Sequence, residues 1–376
     1  MKILIAGDFC DIHRVSDCIR FKDYSQLFSD IKNVVQSADY SIVNFEFPVV
    51  IGNGSPIPKC GPNLKGQPGA VDAINFAGFN VCTLANNHIL DQGFQCCLET
   101  KELLEKSHIK TVGIGCNLKD SEKILYLSKG NEKVAIINCA EHEFSYATES
   151  TAGANPMNPI RQYHQIREAK QNADYVIVIT HGGHEYYNLP SPRMKELYHF
   201  FIDIGADAVV NHHQHCFSGY EFYNSKPIFY GIGNLLFDNP NFRNSVWNKG
   251  FMVGIDFHEG TMDINTIPYT QCAEDPTVSL LNEQQRYNFM LEIEELNNII
   301  ANDELVRSKI EDYYRQNIDN EMDILEPYRG RILNKMLDLG VVPHLIKGSK
   351  IPEILNHVHC ESHRDKLVYA LTHKNI

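Results

Sequence analysis

Histidines gather at two points in the chain where an apolar run stops. Val176-Ile177-Val178-Ile179 leads into Thr180-His181-Gly182-Gly183-His184-Glu185, and Ala208-Val209-Val210 leads into Asn211-His212-His213-Gln214-His215. Three earlier runs end in the same way. Asp8 follows Ile3-Leu4-Ile5-Ala6-Gly7, Glu46 follows Ile42-Val43-Asn44-Phe45, and Asn87-His88 follows Val81-Cys82-Thr83-Leu84-Ala85-Asn86. Carboxylates, imidazoles and an amide oxygen form a mixed donor set that suits Mn, Fe or Zn better than Mg or Ca alone. The donors Asp8, Glu46, Asn87, His181, His213 and His215 are too many for one tetrahedral zinc. With one bridging carboxylate they suit two divalent ions roughly 3.5–4 Å apart, which would clamp a phosphoryl-type oxygen and activate water.

Taken singly, each residue has a plainer explanation. Asp8 would cap a helix, Asn86-Asn87-His88 would be a turn, and His181 would be a satisfied core histidine. Their common position at strand ends favours a shared site. In an open α/β sheet the ligand crevice lies beyond the carboxyl ends of the strands.

The elements needed to bring them together are present. Residues 2–6 read as a central parallel strand, and 40–43, 79–84 and 111–114 as further strands. Helical spacing covers 23–37, 70–77, 93–107 and 160–172. Residues 124–127 and 133–138 read as a hairpin, as do 251–257 and 262–269. Glycine and proline crowd the stretch 52–69, which marks an irregular loop able to border a pocket. Beyond residue 283 the chain turns acidic and helical, over 283–301 and 305–317. Shorter helices are expected at 327–339, 352–359 and 363–372.

Four ordered groups of residues resemble one family. They are Gly7-Asp8; Asn44-Phe45-Glu46; Leu84-Ala85-Asn86-Asn87-His88 with Asp91 and Gly93; and His181-Gly182-Gly183-His184-Glu185-Tyr186 through His212-His213-Gln214-His215 to Tyr230-Gly231-Ile232-Gly233-Asn234. Over roughly residues 1 to 270 the chain resembles the CapA-type capsule and poly-γ-glutamate biosynthesis family within the calcineurin-like metallophosphoesterases. The resemblance implies an α/β fold, a metallophosphoesterase-like α/β/β/α sandwich over 1–280; the helical spacing beyond it adds a helical C-terminal extension over 281–376. It implies that Asp8 and His215 hold one metal, that Asn87, His181 and His213 hold another, and that Glu46 bridges. His88 would be the catalytic acid, a role that suits an imidazole near neutral pH. Cys10, Asn86, Asp91 and Glu185 would support these residues or touch substrate. One departure stands out: Asp8-Phe9-Cys10 carries a thiol where the wider superfamily has a histidine. Cys10 is then either a thiolate ligand or a buried, inert cysteine.

The function implied is a metal-dependent hydrolase acting on a phosphoester or related polar bond, linked to capsule or poly-γ-glutamate metabolism. A non-catalytic component that binds the polymer or a partner enzyme is the other reading. The net charge of −13 argues against a nucleic-acid partner and leaves a small-molecule or polymer substrate. No run approaches the ~18 apolar residues of a membrane span, and the apolar run at the start is too short for a secretory signal. The 11 cysteines are scattered without Cys-x-x-Cys spacing, which suits reduced thiols in a cytoplasmic setting.

Overall fold

The computed structural model describes every residue except 60, 259, 326–329, 349, 360–362, 364–366, 368–370 and 372–376. Four parallel strands open the chain: β1 (Lys2–Phe9), β2 (Tyr40–Phe45), β3 (Val81–Thr83) and β4 (Lys110–Val112). After the two-residue β5 (Ile114–Gly115), the antiparallel hairpin β6 (Leu125–Lys129) and β7 (Glu132–Ala140) begins a second sheet. The short β8 (Gly153–Ala154) pairs with β5. The second sheet is completed by β9 (Tyr175–His181), β10 (Ala208–His212), β11 (Tyr220–Tyr223) and β12 (Lys226–Phe229). β13 (Asn234–Leu236) crosses back to lie parallel to β1. An antiparallel run, β14 (Lys249–His258), β15 (Thr261–Gln271) and β16 (Val278–Leu280), closes the first sheet.

Consecutive residues of a strand point to opposite faces, and β1 shows what that means here. Ile3 and Ile5 join one core with Ile136, Val178 and Val209 of the second sheet. Leu4 and Ala6 join another, with Val15, Leu27, Ile74 and Cys97 of the covering helices. Both faces are dry, so the strand reads as an unbroken apolar run. The covering helices are α1 (His13–Arg20), α2 (Tyr24–Phe28), α3 (Lys32–Gln36), α4 (Gly69–Ala77) and α5 (Gly93–Lys106). After the single turn α6 (Leu118–Ser121), helices α7 (Pro159–Asn172) and α8 (Pro192–Asp203) supply Ile166, Tyr198 and Phe201 to the core of the second sheet. The result is the expected α/β/β/α sandwich, with two sheets inside and helices outside.

One expected helix is two. The spacing over 23–37 is interrupted between α2 and α3, where the Asp30 carboxylate accepts the Leu280 N–H at 2.6 Å and ties the break to the edge strand β16. The expected strand over 111–114 is likewise divided between β4 and β5, with Gly113 between them at φ 101°. Helices α9 (Glu283–Ile300), α10 (Asp303–Leu325), α11 (Arg331–Asp338) and α12 (Lys350–His359) follow the sheets. Most of the helix expected at 363–372 lies outside the described residues, as do residues 327–329 of the one expected at 327–339. By compactness the first unit runs from Met1 to Arg307 and the second from Ser308 to Ile376. The sequence places a change of composition near residue 280, at the start of α9. Helix α9 packs on the second sheet: Phe289 meets Phe217 with ring centroids 4.6 Å apart, and Asn297 accepts the Tyr220 N–H. Among the described residues no helix is long and apolar enough to cross a membrane.

One glycine sits where the fold leaves no room. A Cβ on Gly7 would collide with the carbonyl oxygen and carbon of Gly233, backbone atoms that cannot swing aside. Gly7→Ala is therefore expected to lower stability by about 1–3 kcal/mol, the usual size of an overpacking penalty. A shift of the urea midpoint with unchanged slope would register it.

Candidate metal centre

Strands β1, β2, β3, β9 and β10 bring their carboxyl ends to one edge, and each is followed by, or ends in, a polar residue there. The pairing of β1 with β2 shifts register between Ala6 and Asp8. Such an irregularity re-aims a side chain, and the Asp8 carboxylate accepts the Asn44 Nδ2–H at 2.7 Å. Glu46 follows β2 directly, with its N–H on the Phe9 carbonyl. Asn87 and His88 lie in the turn after β3. Asn86 braces that turn by donating to the Phe45 carbonyl at 2.9 Å and accepting the His88 N–H at 3.1 Å. His181 is the last residue of β9. His213 and His215 follow β10 with left-handed backbones, φ 91° and 54°.

These residues converge. His181 Nε2 lies 3.1 Å from Asn87 Oδ1, 3.1 Å from His213 Nδ1 and 3.6 Å from Glu46 Oε1. On the other side of Glu46, His215 Nε2 lies 3.7 Å from the same Oε1, and His215 Nδ1 lies 3.7 Å from Asp8 Oδ2. Two overlapping groups result, Glu46/His181/His213 and Asp8/Glu46/His215, in each of which the donor atoms lie within 4.8 Å of one another. Glu46 belongs to both.

The electrostatics leave room for cations. Glu46 is fully buried and its Oε1 accepts no hydrogen bond. Burial, then the charge of Asp8, then Glu185 push its carboxyl well above the ordinary range. Burial, then the neighbouring histidines, push His181 well down, and burial pushes His215 down against the pull of Asp8. Neutral imidazoles with free lone pairs beside an uncompensated acid are what a bound cation requires. The residues present therefore fit one or two divalent transition ions. Asp8, Glu46, Asn87, His181, His213 and His215 would hold them.

His88 stands apart from both groups. Its Nδ1 lies 2.6 Å from Asp91 Oδ2, and Asp91 is itself buried. Asp91 also accepts the Leu64 N–H at 2.6 Å and the Lys59 ammonium at 2.5 Å. The glycine- and proline-rich loop is thus strapped onto the turn that carries His88. Cys10 is buried and lies outside both donor groups; burial, then Glu46, push its thiol well up. Glu185 is half-buried, and its charge reaches Glu46, His213 and His215. Arg193, at the start of α8, pairs with Glu141. Tyr186 lies beside His215 at the mouth and stacks with Phe242 and Trp247, at 5.1 and 5.7 Å between centroids.

Two residues escaped sequence reasoning. Lys59 carries an ammonium on a side chain only 2% exposed, yet a lysine in a loop reads as solvent-facing. Glu143, in the loop after β7, has Oε2 accepting from Asn87 Nδ2 at 3.0 Å and Oε1 at 3.3 Å from His213 Nε2. Nothing in the spacing around Glu143 marks it. Asn234 braces the His215 turn: it donates to the His215 carbonyl, and its Oδ1 lies 2.8 Å from His215 Nδ1.

The sequence model of a family described as "Bacterial capsule synthesis protein PGA_cap" matches residues 2–239. "Capsule biosynthesis protein CapA" of Bacillus anthracis is 32% identical over 246 residues, which cover 63% of this chain and 60% of that one. "PGA biosynthesis protein CapA" of Bacillus subtilis (strain 168) is 33% identical over 236 residues, 62% of each chain. This chain thus spans about three-fifths of the length of these curated relatives. Among solved structures, one described as a novel phosphatase from Mycoplasma pneumoniae is 14% identical, with a TM-score of 0.43 over 72% of this chain and 93% of that one.

Proposed function

The chain belongs to the bacterial capsule synthesis protein family, PGA_cap, and from that premise we propose that its strand-end site is a metal-dependent hydrolytic centre. It would act on a phosphoester or related polar bond in capsule or poly-γ-glutamate metabolism. The observation that carries the proposal is the buried Glu46 Oε1, free of hydrogen bonds and held between His181 Nε2 and His215 Nε2 at 3.6 and 3.7 Å. A divalent ion bound there supplies Lewis acidity and positive charge for a hydrolytic displacement. Asp8, Glu46, Asn87 and the three histidines hold it and orient the polar group of the substrate. His88, fixed through Nδ1 by Asp91, presents Nε2 as the acid for the leaving group. Lys59, paired with Asp91, keeps the loop over this dyad and keeps water from it.

Purified protein is expected to contain bound transition metal and to hydrolyse a chromogenic phosphodiester when Mn²⁺ is supplied. Chelation should abolish turnover and lower the melting temperature. A ligand present at a hundred times its Kd stabilises by about 2.7 kcal/mol. Protein that binds no metal and turns over no substrate after metal addition would instead be a polymer- or partner-binding component.

A further inference from the structure

We propose that Glu143 is a positioning residue that orients the Asn87/His213 half of the centre, setting the amide direction of one donor and the tautomer of the other. The inference rests on the metal-centre reading above.

An asparagine amide has an oxygen that accepts and a nitrogen that donates, and it can be turned either way. Asn87 Nδ2 donates to Glu143 Oε2 at 3.0 Å. That bond leaves Oδ1 facing His181 Nε2, at 3.1 Å. A neutral imidazole has a single lone pair, placed by whichever nitrogen keeps the proton. His213 Nε2 lies 3.3 Å from Glu143 Oε1. A carboxylate there only accepts, so it keeps the proton on Nε2. The lone pair then falls on Nδ1, which lies 3.1 Å from His181 Nε2 inside the donor group. One carboxylate, using each oxygen once, thus turns both outer donors inward.

The other half of the centre is held differently. His215 Nδ1 faces the neutral amide oxygen of Asn234 at 2.8 Å, with the carboxylate of Asp8, itself one of the donors, further off at 3.7 Å. Carboxylate partners strengthen an imidazole donor and hold its tautomer, and losing one typically weakens metal binding by about 10–100-fold. Removing Glu143 should therefore weaken the His181/Asn87/His213 position and leave the Asp8/Glu46/His215 position as it was. Glu143 also lines an open cleft of ≈ 660 Å³ with Glu141, Met157, Arg193 and Phe200, so its loss opens no hole in the core.

The test is a Co²⁺ and Mn²⁺ titration of metal-free wild type, Glu143→Gln and Glu143→Ala against a chromophoric chelator. It follows the Co²⁺ absorption bands and the unfolding midpoint of each metal-free protein. Glutamine keeps the size but can accept with one end only, so it can satisfy Asn87 or His213 but not both. We expect unchanged metal-free midpoints, one binding step weakened about 10–100-fold in Gln and at least as much in Ala, and altered Co²⁺ bands. Equal affinities and bands in all three proteins would overturn the role of Glu143. Wild type that binds neither ion would overturn the metal-centre reading itself. An Ala variant that unfolds leaves the Gln variant to decide.

Discussion

Glu46→Gln is expected to lose metal-dependent turnover and yet to give a metal-free protein that melts higher than wild type. Glu46 is the one acid shared by both donor groups. Its removal should exceed the ~10–100-fold loss typical of residues that only orient ligands, and activity should fall by at least about 100-fold. The stability gain follows from the same burial. The folded carboxyl is raised well above its ordinary value of 4.5 by burial, then Asp8, then Glu185. Between the unfolded value and the raised folded value, the native state binds more protons than the unfolded state. Stability therefore falls as pH rises through that interval, and at neutral pH the penalty is in force. Glutamine has no charge to bury, and its oxygen can still accept from Asn44. Each 1 kcal/mol gained should raise the melting temperature by roughly 1.5–2 °C in a unit of this size. Differential scanning fluorimetry after chelation, at pH 5 and pH 8, should show the gap between variant and wild type wider at pH 8. Turnover of Glu46→Gln at the wild-type rate would exclude Glu46 from the centre.

His88→Asn should behave in the opposite way: metal retained, chemistry lost. His88 belongs to neither donor group, and its Nδ1 is engaged by Asp91 at 2.6 Å. Loss of a general acid costs about 10²–10⁴ in rate. We expect kcat to fall in that range with metal content unchanged. A substrate with a nitrophenolate leaving group, which needs little protonation, should lose least. A fall of less than tenfold on a poor leaving group would remove His88 from the chemistry.

Much of this was legible before any coordinates. Polar residues at the ends of apolar runs stand out because everything before them is dry on both faces. Ile3 and Ile5 meet the second sheet while Leu4 and Ala6 meet the helices. Asp8, Glu46, Asn87, His181, His213 and His215 were found by that contrast and by their order, and the fold brings them together. Glu143 offered no such contrast, since it sits among Glu141, His142 and Phe144 in a loop without periodicity. Only the packing of the β3 and β10 turns against that loop gives it its partners. Lys59 was hidden for a related reason. The loop around it was expected to border a pocket, but a lysine's burial depends on a distant acid, here Asp91. The break in the helix over 23–37 likewise falls where Asp30 accepts a hydrogen bond from Leu280, far along the chain.

The left-handed backbone at His213, φ 91°, has an evolutionary corollary. Residues with a Cβ adopt that region reluctantly, and glycine adopts it freely. A lineage without the proposed reaction would feel steady pressure to replace this histidine, whereas Asp8 lies within a strand that builds the first sheet. Retired descendants should thus be recognisable by an aspartate at position 8 that outlasts the histidine at 213.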